Sequence, residues 1–321
     1  MTVPDTAPPW RVVYVCSAAR CGSTVLDMYL GSHPAAASLG EVNLIGKALR
    51  LNQTCTCGAE LRQCPAWGRA FDALAGSMSA DVRSNPYGLR LWDARARVHV
   101  DRQQQTQWYE WSVRARVAWL ALRARLPGVA GHRWPLPPSL DLALDNKLAL
   151  YKQLATTWGR SVLIDSSKNA WEAIELAKRA PDRVLVLLLM RDGRGVYFSR
   201  RRSGFSQRES LRGWKSYYRR FVPLLDCELP ASQRLVVRYE DFARDPASVG
   251  RVVCERLGLT FDPAMLGLEA GARHMVNGND TRFAPARGIR LDERWRTELE
   301  AAERAYFEQH AGDLNRRLGY A

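Results

Sequence analysis

The stretch VVYVCSAARCGSTVLDMYLGSHPAAASLGE, residues 12–41, decides the fold of this chain of 321 residues. Residues 12–15 form an apolar run that predicts a buried strand. A turn of small residues follows, and residues 25–30 then have a helical pattern. A strand, a tight turn and a helix start point backbone N–H groups at an anion. The segment therefore predicts an anion-binding turn, with a plain strand-to-helix connection as the simpler alternative.

The turn at residues 20–24 (RCGST) differs from a P-loop. A P-loop has the pattern G-x-x-x-x-G-K-[ST], in which the Lys reaches the terminal phosphates. Here the cation precedes the glycine, and no Lys precedes the Ser. This order resembles the 5′-phosphosulfate loop of sulfotransferases that use 3′-phosphoadenosine 5′-phosphosulfate (PAPS). The dipeptides at 33–34 (HP) and 40–41 (GE) also stand where the Golgi-type, tyrosylprotein and bacterial branches of that family carry them.

A second anion motif follows the apolar run at residues 184–190 (VLVLLLM). A continuous apolar run is typical of a strand buried on both faces of a parallel sheet. Arg191 ends this run, and Ser199 stands eight residues later in a predicted helix. Both side chains could therefore reach one phosphate, and the segment is similar to the 3′-phosphate motif of the same family. Taken alone, the Arg-Asp pair at 191–192 would be a surface ion pair of little consequence.

Strand and helix patterns alternate along the core of the chain. Strands are predicted at 11–17, 162–166, 183–190 and 234–239, and helices at 22–31, 170–179, 193–203, 207–226 and 292–310. This alternation predicts an α/β protein with a parallel central sheet and helices on both faces. The resemblance implies the P-loop-like sulfotransferase fold. We expect a single domain over 1–321, with a Cys-containing loop at 52–68 and a helical, Arg- and Trp-rich insertion at about 70–150.

The resemblance also implies which residues bind PAPS. Ligands of such sheets bind beyond the carboxyl ends of the strands, where both motifs lie. The residues expected to bind the donor are Arg20, Cys21, Gly22, Ser23, Thr24, Arg191, Ser199 and Arg282. Among them, Arg20 is also a catalytic candidate, because its guanidinium can fork onto the 5′-phosphate and the charge that develops on the leaving oxygen. For Arg282, an ordinary surface loop is the alternative interpretation.

Sulfuryl transfer needs in-line attack, stabilisation of charge on oxygen, and a base for the acceptor hydroxyl. Glu41 is the candidate base, because the resembling branches carry a catalytic Glu after the first helix; from residue type alone it would be a solvated loop carboxylate. His33 and Asp165 are the rival bases. Lys168 is expected to contact the bridging oxygen, with an ion pair to Asp165 as the alternative. This chemistry requires no metal, and we assign no metal ligand.

The cysteines at 55, 57 and 64 cluster in CTCGAELRQCPAWG. Free thiols that pack a loop, a disulfide from Cys64 to Cys55 or Cys57, and a zinc site are the alternatives. The spacing C-x-C-x6-C has no obvious fourth ligand nearby and is not the usual C-x2-C knuckle. Bacterial sulfotransferases carry a similar insertion, which implies a structural role.

The formal net charge is +14, which favours anionic partners. We expect PAPS or its product PAP and a hydroxyl-bearing acceptor as partners, and no nucleic acid; an Arg-rich composition alone is the alternative explanation of the charge.

Residues 1–10 lack the features of a secretory signal, and no run approaches the ~20 apolar residues that span a bilayer. The sequence thus predicts a cytoplasmic enzyme, of bacterial type from its Arg and Ala usage. The rival functions are a P-loop-type phosphotransferase or kinase and a basic membrane-surface binding protein.

The insertion at 70–150 carries Trp108, Trp111 and Trp119 at helical spacing. Such a stripe either packs on the core or forms an acceptor-binding lid or an interfacial helix that contacts lipid headgroups. This insertion is therefore the segment through which we expect any peripheral membrane contact to be made. Its tryptophans favour a bulky, partly apolar natural product or glycolipid as the acceptor.

Overall fold

The computed structural model describes residues 9–78, 81–93, 97–98, 106–123, 135–268, 273–283 and 288–320. The strands are β1 (Arg11–Cys16), β2 (Ala36–Gly40), β3 (Trp92–Asp93), β4 (Arg97–Val98), β5 (Val162–Asp165), β6 (Val184–Met190) and β7 (Arg234–Arg238). The first helices are α1 (Ser23–Leu30), α2 (Ile45–Arg50), α3 (Pro65–Met78), α4 (Gln107–Arg123), α5 (Pro138–Trp158), α6 (Ala170–Arg179) and α7 (Gly193–Arg201). The later ones are α8 (Gln207–Glu228), α9 (Tyr239–Arg244), α10 (Pro246–Arg256), α11 (Ala264–Gly267), α12 (Trp295–Glu298), α13 (Ala301–Phe307) and α14 (Asp313–Arg317).

Five strands form one parallel sheet in the order β2-β5-β1-β6-β7, with helices on both faces. This confirms the predicted fold class. All seven residues of β6 are buried, as its continuous apolar run predicts. β5 and β6 lie on opposite sides of β1, so the chain reverses its direction across the sheet at that strand. In such sheets the crevice beyond the strand ends at the reversal is the usual ligand site.

Two elements differ from the sequence-based expectation. The edge strand β2 has the sequence AASLG, whose small residues carry little strand signal. It pairs with β5, and its last residue bridges to Val276. The single helix predicted at 292–310 is wrong, because Leu299 has an extended backbone (φ −80°, ψ 120°) that separates α12 from α13. A π-helical turn, Glu308–Gly312, then joins α13 to α14.

The insertion between β2 and β5 is largely helical where it is described. In α4, Trp108 is 84% exposed and Trp111 is 62% exposed, whereas Val113 and Leu120 are buried. The two tryptophans therefore do not pack on the core. Residues 79–80, 94–96, 99–105 and 124–134 of the insertion lie outside the described residues. In the part of the chain that is described, no helix combines the length and apolarity that a bilayer crossing requires. The membrane contact stays a prediction.

Candidate functional site

The first anion motif is the loop between β1 and α1. Gly22 precedes α1 with φ 94°, and an added Cβ would lie 2.7 Å from the Tyr239 ring, so this position requires glycine. No side chain among the described residues caps α1. The amides of its first turn are therefore available to an anion, together with the positive end of the helix dipole. The Cys21 side chain is buried at the Tyr218 hydroxyl, 3.2 Å from it, so that Cys21 can offer a ligand its backbone but not its thiol.

The second motif meets the first directly. The Arg191 guanidinium donates to the backbone oxygen of Arg20 at 3.0 Å and to that of Asp292 at 3.1 Å, and it is 6% exposed. It also lies against Gly195, where an added Cβ would be 3.2 Å from its Nε. Ser199 is one turn further along α7 on the same face. Arg191 and Ser199 therefore line one side of α7, facing the first loop.

Arg20 itself reaches this helix. Its Nη2 donates to the Ser203 hydroxyl at 2.7 Å, and Ser203 in turn donates to the Ser199 backbone oxygen at 3.0 Å. The pKa of Arg200 is lowered, first by desolvation and then by the positive charge of Arg20. The loop and α7 thus concentrate guanidinium groups around one space, which favours a polyanionic ligand.

Glu41 and Lys168 lie at the carboxyl ends of neighbouring strands, β2 and β5. Lys168 Nζ donates to Glu41 Oε1, and the two side chains are 21% and 20% exposed. Lys168 has φ 64°, a left-handed conformation that lifts it out of the strand direction. The Tyr217 hydroxyl holds its backbone oxygen at 3.0 Å. Glu41 and Lys168 are both expected at the reaction centre from the sequence. The structure brings them together as an ion pair.

Arg282 approaches the same space from the C-terminal part of the chain. It lies in a 3₁₀ turn, Asp280–Phe283, and its Nη1 donates to the Gly278 backbone oxygen at 2.7 Å. The adjoining Asn279 amide donates to the Thr24 hydroxyl at 3.4 Å. Arg282 is 8% exposed, and its buried Nε has no hydrogen-bond partner in the described structure. Desolvation lowers its pKa, while the charges of Asp280 and Glu41 oppose that shift. An unpaired buried donor beside Thr24 is a ready anion contact.

The rival bases lie elsewhere. His33 precedes β2 and therefore lies at the amino ends of the parallel strands, away from the crevice at their carboxyl ends, and its ring contacts the Thr260 backbone oxygen at 2.9 Å. Asp165 is fully buried, with Lys147 Nζ at 2.8 Å and the Tyr151 hydroxyl at 2.5 Å. The His33 ring and the Asp165 carboxylate are therefore not placed to take a proton from an acceptor in the crevice. Glu41, in contrast, is only half-buried.

Asp27 of α1 is a supporting residue that sequence reasoning missed. It is fully buried, and its Oδ2 accepts from the Gly40 amide at 3.1 Å and from the Ser166 hydroxyl at 2.6 Å. It thereby joins the ends of β2 and β5, one residue before Glu41 and two before Lys168. An ionisable residue inside the apolar pattern VLDMYL was the signal that could have identified it. Burial raises the pKa of Asp27 to about 7.

We expect Asp27→Asn to flatten the dependence of stability on pH. The folded pKa of Asp27, about 7, lies above its unfolded value, so the folded state binds the proton more tightly between the two. The stabilisation of the folded state that this tighter proton binding provides is complete below the unfolded pKa. It is lost as the pH rises through about 7. Asn keeps an oxygen for Gly40 and Ser166 but does not titrate. Between about pH 4 and about pH 7 the wild type should lose on the order of 2–4 kcal/mol relative to the variant.

Urea unfolding of both proteins across this pH range measures the difference. Other titrating groups, such as Glu172, whose pKa burial raises to about 7, are common to both and cancel. A constant difference between the two proteins at every pH would contradict the assignment.

A cleft of about 720 Å³ opens next to Lys168. Its walls combine aromatic rings with cations, including Trp171, Tyr217, Phe221, Arg200 and Arg220, and α4 contributes Val117 and Leu120. A cavity of about 840 Å³ adjoins it along α8, and its described walls contain none of the predicted site residues. Of these two cavities, the smaller cleft is therefore the one that is lined by Lys168, the partner of Glu41.

Comparisons with known proteins concern the fold and the family of this chain. A comparison with the sequences of curated proteins finds no significant match. Among solved structures, the sulfotransferase domain of the Synechococcus PCC 7002 olefin synthase is similar, with a TM-score of 0.53, 22% identity, and coverage of 100% of this chain and 98% of that one. The sulfotransferase domain from the curacin biosynthetic pathway has a TM-score of 0.49, 16% identity, and coverage of 98% and 99%.

A family model provides the assignment. The model described as the sulfotransferase family matches residues 13–263, which include most of β1, both anion motifs and the other four parallel strands. The match covers well over half of the chain, and we conclude that the protein belongs to the sulfotransferase family.

Proposed function

We propose that this protein transfers a sulfuryl group from PAPS to a hydroxyl of a small-molecule, glycan or lipid-like acceptor. One observation carries the proposal: Arg191 of the second motif donates directly to the Arg20 backbone in the first. The two anion motifs, separated by about half the chain in sequence, are therefore adjacent in space, as a nucleotide with two anionic ends would require. The family supports the reaction class, and the arrangement of cations supports the donor.

The 5′-phosphosulfate would bind the loop before α1. Backbone amides of Cys21, Gly22, Ser23 and Thr24 and the hydroxyl proton of Thr24 could donate there. Arg282, whose Nε is unpaired, belongs to the neighbouring turn that contacts Thr24 through Asn279. The 3′-phosphate would bind Arg191 and Ser199 on their shared face of α7. Arg20 can exchange its contact with Ser203 for a donor oxygen, because that contact is exposed.

In the proposed reaction the acceptor oxygen attacks sulfur in line, and Glu41 takes the proton of the hydroxyl. A new bond forms between the acceptor oxygen and sulfur, while the bond between sulfur and the phosphate oxygen breaks. The electron pair of that bond leaves with PAP. Lys168 stabilises the charge on the departing oxygen, and Arg20 supports it. The contact with Lys168 holds the Glu41 carboxylate in place beside the cation.

The cleft beside Lys168 supports a bulky acceptor. Trp171, Tyr217 and Phe221 offer apolar faces, and Phe221 meets Trp171 edge-on with ring centroids 5.5 Å apart. Arg200, Arg212 and Arg220 favour a negative group on the same molecule. A partly apolar natural product or glycolipid with an anionic substituent fits these walls.

Calorimetric titration of PAP without metal tests the donor assignment. The wild type should bind with a micromolar Kd, and Arg191→Ala/Ser199→Ala should weaken binding at least about 100-fold, because hydrogen bonds to charged groups contribute about 1.5–3 kcal/mol each. Arg219→Ala, which removes an exposed cation from α8, serves as the control for lost charge and should bind like the wild type.

Failure of the folded wild type to bind PAP would overturn the proposal. Binding of ATP that depends on Mg²⁺ would then favour a phosphotransferase. Binding to anionic vesicles that collapses with salt and ignores PAP would favour a membrane-surface protein.

A further inference from the structure

Four side chains that the proposed reaction does not use converge at one point on the surface of the fold. They are Cys55, Cys57, Cys64 and His274, and their sulfur and nitrogen atoms all lie within 4.8 Å of one another. His274 Nδ1 is 3.3 Å from Cys64 Sγ and 3.7 Å from Cys55 Sγ, and Cys57 Sγ is 3.7 Å from Cys64 Sγ. The sequence left a zinc site as one of three alternatives, without an obvious fourth ligand near the cysteines. His274 supplies a fourth ligand from 210 residues beyond Cys64.

The three separations just given are close to the edge lengths of a tetrahedral zinc site. Zinc binds thiolate sulfur at about 2.3 Å and imidazole nitrogen at about 2.0–2.1 Å, which places two sulfurs about 3.8 Å apart and sulfur and nitrogen about 3.5 Å apart. A disulfide would need about 2.05 Å between sulfurs. Cys55, Cys57 and Cys64 are free thiols, and any single disulfide would leave a third sulfur facing the imidazole. A tetrahedral cation uses all four groups at once.

The backbone around the cluster is already shaped for ligation. Gly58 has φ 92° and its amide donates to the Cys55 oxygen at 2.9 Å, which folds the Cys-x-Cys-Gly segment into a tight knuckle. Cys55 and Cys64 are each 1% exposed. Trp67 Nε1 donates to the His274 oxygen at 2.7 Å, and the Trp158 ring lies 5.7 Å from the imidazole. Such surrounding contacts fix the orientation of metal ligands.

We infer that Cys55, Cys57, Cys64 and His274 bind one Zn²⁺ in a closed structural site. Four protein ligands leave no open position, so the metal would stabilise the fold rather than take part in catalysis. Binding would release the thiol protons, and its free energy would add to folding.

The site would also anchor the reaction centre. His274 stands two residues before Val276, whose amide donates to the Leu39 oxygen at 2.9 Å and whose oxygen accepts from the Glu41 amide at 2.9 Å. The same segment continues to Arg282. A metal that binds the 52–64 loop to His274 would therefore hold the backbone that positions Glu41 and Arg282.

Metal analysis of the full-length protein, expressed with zinc and purified without chelator, tests the inference. The wild type should contain about one Zn²⁺ per chain, and Cys64→Ser and His274→Ala should each lower the content at least about tenfold. Cys227→Ser removes an exposed thiol outside the cluster and should keep the metal. A chelator should lower the melting temperature of the wild type and of Cys227→Ser, but not that of the cluster variants.

If the cluster variants fail to fold, the absorption spectrum of the Co²⁺-substituted wild type reports the type and geometry of the metal ligands. Co²⁺ in the proposed site should show thiolate-to-metal charge-transfer bands and intense tetrahedral d–d bands. Wild type that is folded, free of zinc and unable to take up Co²⁺ would overturn the inference. So would a mass shift that shows a disulfide between Cys64 and Cys55 or Cys57 in protein purified under non-oxidising conditions.

Discussion

Replacing Glu41 by Gln should lower kcat about 10²- to 10⁴-fold and leave the affinity for PAP nearly unchanged. Gln has the size of Glu and can still accept a hydrogen bond from Lys168, but it cannot take the proton of an acceptor hydroxyl. Glu41 is 20% exposed and lies at the crevice end of β2, so an acceptor can reach it. Its backbone is fixed on both sides, by Val276 and by the Gly40 contact with Asp27, so the substitution should not move the strand end.

Initial rates of sulfuryl transfer from PAPS measure this effect, with p-nitrophenol as the trial acceptor or whichever hydroxyl compound of a screen reacts best. Glu298→Gln is the matched control, because Glu298 forms an exposed ion pair with Arg202 away from the crevice, and its kcat should stay within about twofold of the wild type. A kcat for Glu41→Gln that is also within about twofold of the wild type would show that another group accepts the proton.

The donor-site elements could be predicted from sequence because their signals are local. The apolar run of β6 and the turn after β1 each lie within a few residues of the charged groups they present. The resemblance then assigned roles that spacing alone could not. Arg191 contacts the Arg20 backbone, Arg20 reaches Ser203 next to the Ser199 backbone, and Glu41 and Lys168 pair across neighbouring strands. Their catalytic and donor-binding roles remain predictions.

What the sequence did not reveal depends on long-range contacts. His274 joins the cysteine cluster from 210 residues beyond Cys64, and a single sequence does not indicate that His274 and the cysteines are in contact. Lys147 lies in α5, where a lysine ordinarily indicates a solvated helix face. Here it is fully buried, because α5 packs against β5 and brings it to Asp165. Buried charges of this kind are visible only once the helices are placed.

Replacing Lys147 by Met should lower the free energy of unfolding by about 3–5 kcal/mol at neutral to slightly alkaline pH. Lys147 Nζ lies 2.8 Å from Asp165 Oδ2 and 3.9 Å from Glu172 Oε2, and all three side chains are fully buried. It also donates to the Asn43 side-chain oxygen. Met fills a similar volume but leaves two carboxyl groups without a cation, and a buried charge without a partner is costly. Urea unfolding measures the loss.

Lys47→Met is the matched control, since Lys47 is exposed on α2 and its replacement should change stability by about 0.5 kcal/mol or less. Burial raises the pKa of Glu172 to about 7 and Lys147 opposes that rise, so its removal should raise the pKa further. A carboxyl group whose pKa is raised in the folded state stabilises the folded protein at low pH. This stabilisation is lost as the pH rises through the folded-state pKa. The penalty of Lys147→Met should therefore shrink at about pH 5, and Glu172→Gln should restore part of the stability in the double variant. Equal penalties for Lys147→Met and Lys47→Met would contradict this prediction. The ends of β2 and β5, which carry Glu41 and Lys168, would then depend on contacts other than the buried charges.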